Sequence, residues 1–502
     1  MNILFVASEL TPWAKVGGLG DVIGSLPKAL ALQNFSKKSL GGRARLGMET
    51  SVIIPRYERI NLKRIGAKKI LKNFPVPIGR TIEHVDLYQA RLPGSKVSVY
   101  LVESKRYLSR GEVYFERTAF AGSFKEIQRF VFFSKAVFEL LSRTDADFTQ
   151  TNAENHKRTF DVIHCNDWHS GALVTMLRNY KLQFTNYKPK VVFTIHNLAN
   201  QGNWNAKEVE KWLGTNPFKL RGPFDKLRAG GNYNFMAEGI ENADIVTTVS
   251  PTYAKEILTK QYGAGLQNLL KKRARQGKLA GILNGIDHGA WPLRKRDKAG
   301  FQKELGLEAD PQSPVFGLVA RLTYQKGINL VAPLVPQFVK KHNSPRYSSG
   351  GAGAQFVFLG SGETSNEKAL LALAKKYPQN VFAKIGFNEK LAHKIYSQSD
   401  FFLVPSLFEP SGLGQMISMR YGTVPIVRAT GGLKDSVIHK KTGFVFEKFA
   451  PQALASAMEE ALRVYGNQKQ FKKLAANCKR QDFSWKKSAR KYLEFYRIVL
   501  AN

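Results

Sequence analysis

In the second half of the chain, GLVARLTYQKG from Gly317 to Gly327 carries two cations, Arg321 and Lys326, in what reads as a strand-to-helix loop. Two positive side chains so close suit a pyrophosphate, Arg as a planar fork and Lys as a point charge. A salt-bridged loop is the alternative reading. Further on, FEPSGLGQMISMRYG from Phe408 to Gly422 sets Glu409 before a Pro and a Gly that turn the chain into a helix, with Ser411, Gly412 and Leu413 in the turn. Amides at a helix start hold phosphate, and the carboxylate is suited to take hydroxyls. Thr430, Gly431 and Gly432 follow in a second turn, where glycine permits close backbone approach.

The first half offers three more constellations. KVGGLGD, Lys15 to Asp21, places Gly17 and Gly18 between the opening strand and its helix, with a lysine where the helix dipole favours an anion. It has neither the GK[ST] order of a P-loop nor a GxGxxG fingerprint, so by itself it reads sooner as a structural turn. DVIHCNDWHS, Asp161 to Ser170, gathers His164, Asp167, Trp168 and His169 at a strand end. That cluster admits a metal reading, but no HExxH helix supports it, and Asp, Trp and His there also suit hydrogen bonding to and stacking on a sugar. His196 and Asn197, in the run Thr194 to Asn197, end another strand; the histidine is either a satisfied structural residue or a substrate contact at the sheet's carboxyl edge.

The elements that must position these residues are short apolar runs alternating with amphipathic stretches, the pattern of parallel strands buried on both faces and joined by crossover helices. Ile3 to Ala7 leads into a helix over Gly20 to Leu32, and Thr50 to Ile54, Val97 to Val102, Val162 to Cys165, Val191 to Ile195 and Ile245 to Val249 continue the series. A second series opens at Gly281 to Leu283 and runs through Val315 to Val319, Gln355 to Leu359, Val381 to Ile385, Phe401 to Val404 and Val424 to Val427. The expectation is α/β with two doubly wound domains, 1–250 and 251–482, a cleft between them, and a C-terminal helix, 483–502, returning to the first. Stretches 34–47, 143–159, 220–232 and 341–354 are polar, Gly-rich or basic without periodicity and read as surface loops or insertions.

Composition narrows the function classes. Of 502 residues, 43% are hydrophobic and 23% charged, which excludes a disordered or fibrous chain. The net charge of +37, from 76 Lys and Arg against 39 Asp and Glu, raises nucleic acid as a partner. The basic residues are dispersed and no nucleic-acid module is present, so the charge reads as a surface trait, with no nucleic-acid partner expected. Cys165 and Cys478 are too far apart for a CxxC pair, which suggests a reducing compartment. MNILFVASEL has no basic region ahead of its apolar run and reads as a buried strand, and no run reaches the ~20 apolar residues of a membrane span. A cytoplasmic protein without a membrane partner is expected.

Taken together, these residues resemble the bacterial glycogen synthase and starch synthase family, retaining glucosyltransferases of the GT-B type with two facing Rossmann-like domains. KVGGLGD at Lys15 to Asp21, the HDWH-type motif at Asn166 to His169, the HNLxxQG element at His196 to Gly202, RLxxQKG at Arg321 to Gly327, EPxGL at Glu409 to Leu413 and RATGGL at Arg428 to Leu433 carry the resemblance. It implies transfer of glucose from ADP-glucose to the non-reducing end of an α-1,4-glucan such as glycogen, with no cofactor and no metal. It also implies that the first domain serves the acceptor and the second the nucleotide sugar. Lys15 would contact the donor's phosphate and sugar region, Arg321 and Lys326 would neutralise the departing diphosphate, and Glu409 would hold sugar hydroxyls. His196 and Asp167 would lie on the acceptor side, with Gly17, Gly18, Asp21, Trp168, Asn197, Ser411, Gly412, Leu413, Thr430, Gly431 and Gly432 lining the substrates. The family usually has Cys and Thr where this chain has Ser411 and Gly414.

Overall fold

The apolar runs become buried parallel strands in a computed structural model, which describes residues 1–36, 45–114, 123–142, 160–179, 189–213, 231–341 and 353–501. Met1–Val249, Ala254–Gly285 and Trp485–Asn502 form one compact unit, and Ser250–Tyr253 with Ile286–Ser484 form another.

The first unit is built on β1 (Asn2–Val6), β2 (Glu49–Pro55), β3 (Lys68–Ile78), β4 (Thr81–Arg91), β5 (Ser98–Glu103), β6 (Val162–Asn166), β7 (Lys190–Ile195), β8 (Ile245–Thr248) and β9 (Leu279–Gly281). These lie side by side in the order β9-β8-β7-β6-β1-β2-β5-β4-β3. β1 is central and parallel to both neighbours, with Ile3 opposite Thr50 and Val162. The chain therefore winds outward one way through β2 and β5, returns, and winds the other way through β6, β7 and β8, so the sense of winding reverses between β1 and β6. In such sheets ligands bind beyond the carboxyl ends of the strands at that reversal.

Two elements depart from the sequence expectation. β3 and β4 form an antiparallel hairpin added to β5; their outer faces are solvated, so they lack the continuous apolar runs that reveal doubly buried strands. The strand expected to open the second series, near Gly281 to Leu283, instead closes the first sheet as β9, with Val246 opposite Leu279. The Val246 amide donates to Lys278 O and the Ile282 amide to Thr248 O, both at 2.9 Å, which draws 254–285 into the first unit and away from the second domain expected to begin at 251.

The second unit carries β10 (Val315–Val319), β11 (Gln355–Gly360), β12 (Val381–Ile385), β13 (Phe401–Val404), β14 (Val424–Arg428) and β15 (Phe444–Phe446), in the order β12-β11-β10-β13-β14-β15. This is the 3-2-1-4-5-6 arrangement of a Rossmann-type sheet, with its reversal between β10 and β13. Phe316 stacks on Phe356 and Phe401 at ring-centroid distances of 5.2 and 5.0 Å across the sheet centre.

Helix α1 (Gly18–Ala31) buries Leu19, Val22, Ile23, Leu26 and Leu30, a helical stripe facing the first sheet. The C-terminal helix Trp485–Ala501 packs in the same core through Trp485, Tyr492, Phe495 and Tyr496, as expected from its aromatic spacing. Of the four irregular stretches, 143–159 lies outside the described residues, as do 37–44, 220–230 and 342–352 of the other three. Among the described residues no helix is long and apolar enough to cross a membrane.

A buried polar chain ties the C-terminal helix to the sheet. His164 Nδ1 lies 2.6 Å from Tyr496 Oη and its Nε2 lies 2.6 Å from Thr194 Oγ1; Thr194 Oγ1 is 2.5 Å from Thr247 Oγ1. Burial, aided by the neighbouring His196, pushes the His164 pKa down to about 3. The folded protein keeps this ring neutral where the unfolded chain binds a proton, so its stabilising effect is complete above an unfolded pKa of about 6.5 and is lost as pH falls toward the folded value. Replacing His164 by Asn should lower the slope of unfolding free energy against pH between 6.5 and 4 by as much as about 1.4 kcal/mol per unit. Urea titrations across that range check this, and equal slopes in the two proteins would contradict it.

Candidate active site

The sequence-predicted residues of the second unit converge at the reversal between β10 and β13. Arg321 and Lys326 sit in the loop after β10, Glu409 to Leu413 in the loop after β13, and Thr430 to Gly432 in the loop after β14. Backbone contact knits the three together. The Leu407 amide donates to Gln325 O at 2.8 Å and Gln325 Nε2 to Phe408 O at 3.0 Å. Gly327, at φ 72°, lies where a Cβ would fall 2.3 Å from Pro405 O. Cβ atoms on Gly431 and Gly432 would each fall 2.0 Å from a carbonyl oxygen, those of Glu409 and Ser411. The glycine pair thus seats one loop on another, where the sequence suggested only a close approach to ligand.

Within this frame Lys326 Nζ reaches Glu409 Oε2 at 2.5 Å, and Ser406 Oγ donates to the same oxygen at 2.9 Å. Glu409 is buried and Lys326 largely so. Oε1 of Glu409 has no hydrogen bond among the described residues, so an acceptor site remains beside a charge already fixed in place. Arg321 is exposed, with Gln325 Oε1 at 3.5 Å from its guanidinium, and stays available to an anion. Ser411 is buried with its hydroxyl unpartnered. Gly414 has a local reason: a Cβ there would meet the Phe402 ring at 2.9 Å and Tyr396 Oη at 3.4 Å, so those rings fill the space a threonine would need.

In the first unit the residues gather at the reversal between β1 and β6. Lys15 Nζ pairs with Asp21 Oδ1 at 2.7 Å, and α1 begins at Gly18 with no side-chain cap on its first amides. A Cβ on Gly18 would find open space, unlike one on Gly327, Gly431 or Gly432.

Asp167 follows β6 in a left-handed conformation, φ 54°. Its Oδ1 accepts from the His196 amide at 2.7 Å and the Asn197 amide at 3.4 Å, and its own amide donates to Thr194 O at 2.9 Å. The aspartate thus clamps the end of β7. Burial raises its pKa to about 7 against the lowering effect of those amides. Asn197 Oδ1 turns back to accept from the Ala199 amide at 3.1 Å, which shapes the same loop.

Asn166, which sequence reading left out of the candidate site, sets the state of His196. Its amide nitrogen donates to Val6 O at 3.2 Å and His164 O at 3.1 Å, so its oxygen faces His196 Nε2 at 2.9 Å as an acceptor. The imidazole therefore carries its proton on Nε2 and presents a lone pair at Nδ1, which has no partner among the described residues. Burial pushes the His196 pKa down to about 3, so the ring is neutral at pH 7. Position 166, two residues after His164 on one strand, was the available signal, but the partner lies 30 residues away.

Trp168 and His169 turn inward. Trp168 is 5% exposed, meets Phe130 edge-on at 5.4 Å and lies at 4.3 Å from His169; a Cβ on Gly202 would fall 2.2 Å from its ring. Its face is covered by protein, and the expected role on a sugar finds no open ring surface here. His164 is likewise committed to the core, and among the described residues no three His, Cys, Asp or Glu side chains form a group that could hold a metal ion.

Comparison with known proteins bears on the family and the fold. The family model described as starch synthase catalytic domain matches residues 2–272, and that of glycosyl transferases group 1 matches 303–479. The glycogen synthase of Thermodesulfovibrio yellowstonii is 35% identical over 100% of this chain and 98% of its own length. That of Geotalea daltonii is 38% identical over 100% and 99%. Among solved structures, the catalytic domain of starch synthase IV from Arabidopsis thaliana, bound to ADP and acarbose, superposes with a TM-score of 0.82 at 29% identity, covering 100% of this chain and 99% of that one. With matches of this extent in both sequence and fold, the chain belongs to the bacterial glycogen synthase and starch synthase family of glycosyltransferases.

Proposed function

We propose that this chain transfers a glucosyl unit from ADP-glucose to the non-reducing 4-hydroxyl of an α-1,4-glucan, with retention of configuration. The observation that carries the reading is the Lys326–Glu409 pair, held at the winding reversal of a nucleotide-binding type of sheet. As the bond from sugar C1 to the diphosphate breaks, its electron pair passes to the phosphate oxygen and ADP departs. The acceptor oxygen bonds to C1 and releases its proton. Charge develops on the diphosphate and, with opposite sign, on the sugar ring, and groups fixed in advance stabilise such charges without reorganising.

Lys326 and the exposed Arg321 would meet the diphosphate, the work a divalent cation does in other sugar-nucleotide enzymes. The open Oε1 of Glu409 would accept a sugar hydroxyl. His196, neutral and with a lone pair at Nδ1, would accept a hydrogen bond from a sugar hydroxyl, placing no positive charge near the developing oxocarbenium. Asp167 is assigned a positioning role through the His196 and Asn197 amides and no direct contact with the glucan.

Incubation with ADP-glucose and glycogen should release ADP and lengthen the glucan, whereas absence of product with every nucleotide glucose tried would refute the reading. Running UDP-glucose and small-sugar acceptors in parallel fixes donor and acceptor class. Lys326→Ala and Glu409→Ala should each lower kcat by about a hundredfold or more while circular dichroism stays unchanged; near-normal rates would remove the pair from the mechanism.

Asn166→Asp places a carboxylate beside the Nε2 proton of His196, which raises the pKa of the ring. The acid limb of the kcat/KM profile should therefore move to higher pH. A limb unmoved by this substitution would refute the requirement for a neutral His196.

A further inference from the structure

Glu9, in the loop after β1, takes no part in the roles assigned so far. It is 3% exposed, and a carboxylate so buried needs donors on both oxygens. Oε2 accepts from the Val16 amide at 2.8 Å and the Gly17 amide at 2.7 Å, and Oε1 accepts from Tyr114 Oη at 2.7 Å. All three donors are neutral, and two belong to the glycine loop that opens α1. Gly20 makes room for this arrangement, since a Cβ there would fall 3.1 Å from Glu9 Oε2.

The third donor is itself held in place. Ser8 Oγ lies 3.0 Å from Tyr114 Oη, and Tyr57 Oη donates to Ser8 O at 2.7 Å. Arg129 is fully buried and donates to Tyr107 O at 3.3 Å, to Val113 O at 3.0 Å and to the Arg110 and Glu112 carbonyls. It thereby closes the 107–113 turn that delivers Tyr114 to the carboxylate. Burial and the adjacent Glu9 hold the Tyr114 phenol well above its ordinary pKa, so it remains a donor.

Loop conformation follows from these bonds. With the Val16 and Gly17 amides turned inward onto Glu9, the chain enters α1 at Gly18 with its first helical amides uncapped and the Lys15 side chain on the outer side, paired with Asp21. Without Glu9 the two amides would seek other acceptors, and a glycine loop has many conformations in which to find them.

We propose that Glu9 is a positioning residue for the nucleotide-sugar donor, its carboxylate locking the Lys15 to Gly18 loop in the shape that receives the donor's phosphate. The inference rests on the reading above that Lys15, Gly17 and Gly18 meet the donor. It makes loop order a determinant of donor affinity and leaves glucan affinity untouched.

Glu9→Ala, Glu9→Gln and Tyr114→Phe separate the possibilities in the full-length chain. Gln keeps one oxygen for both loop amides, and its amide nitrogen donates to Tyr114, whose proton turns to Ser8 Oγ. Glu9→Ala should raise the KM for ADP-glucose by about tenfold or more with the KM for glycogen within about twofold, and Glu9→Gln should restore the donor KM to within about threefold of wild type. ADP affinity by titration calorimetry should follow the same order. A donor KM unchanged in Glu9→Ala, equal rises in both KM values, or a Gln variant as impaired as Ala would each overturn the proposal.

If Glu9→Ala does not fold, Tyr114→Phe decides. It removes the donor to Oε1 together with the contact to Ser8 Oγ and leaves both loop amides on Oε2, and an ADP affinity weakened by about threefold supports the proposal where an unchanged one refutes it. A wild type that binds ADP but elongates no glucan would defeat the functional reading alone, because the calorimetric comparison stands without turnover.

Discussion

The ion pair between Lys326 and Glu409 bridges the place in the second sheet where winding reverses, and the surrounding structure is arranged to make that bridge possible. Adjacent strands β10 and β13 send their loops apart at a reversal, which leaves a crevice. To set a lysine from one loop on a carboxylate from the other, the backbones must approach more closely than side chains normally allow. Gly327, Gly431 and Gly432 permit it, each lying where a Cβ would overlap a carbonyl. Gln325 fastens the first loop to the second through its backbone carbonyl and its side-chain amide. The outcome is a carboxylate with one oxygen paired and one open.

The first unit solves a related problem with buried hydrogen bonds in place of an ion pair. Asn166 is anchored by two carbonyls and so fixes which nitrogen of His196 carries the proton. Asp167 adopts an uncommon backbone conformation that points its carboxylate at the amides of the following strand end. Both residues act on His196 and the loop after it, and in the proposed reaction they would stand one step away from substrate. In the proposed reaction a neutral imidazole beside the forming oxocarbenium would avoid like-charge repulsion, which would make the histidine's protonation state as important as its location.

The sequence carried much of this because strand ends, glycine turns and charged residues are local features. The runs from Val315 to Val319 and Phe401 to Val404 announce buried strands, and the residues after them announce the site. Relations between distant segments were not readable in the same way. Lys326 and Glu409 appear in sequence as two separate groups, 83 positions apart, and nothing local says that they neutralise each other. Trp168 looks like a sugar platform until Gly202, without a side chain, lets the ring sink into the core. The β3–β4 hairpin escaped because its half-solvated faces alternate, and 254–285 was assigned to the wrong side because β9 is only three residues long and marks no boundary of its own.

The fate of the glucosyl unit distinguishes glucan synthesis from every other use of the donor. Incubation with ADP-glucose labelled with carbon-13 in the sugar, followed by NMR of the glucan, should find the label in α-1,4-linked residues at non-reducing ends, in step with ADP released. Label recovered only as free glucose, or in a linkage of inverted configuration, would contradict it.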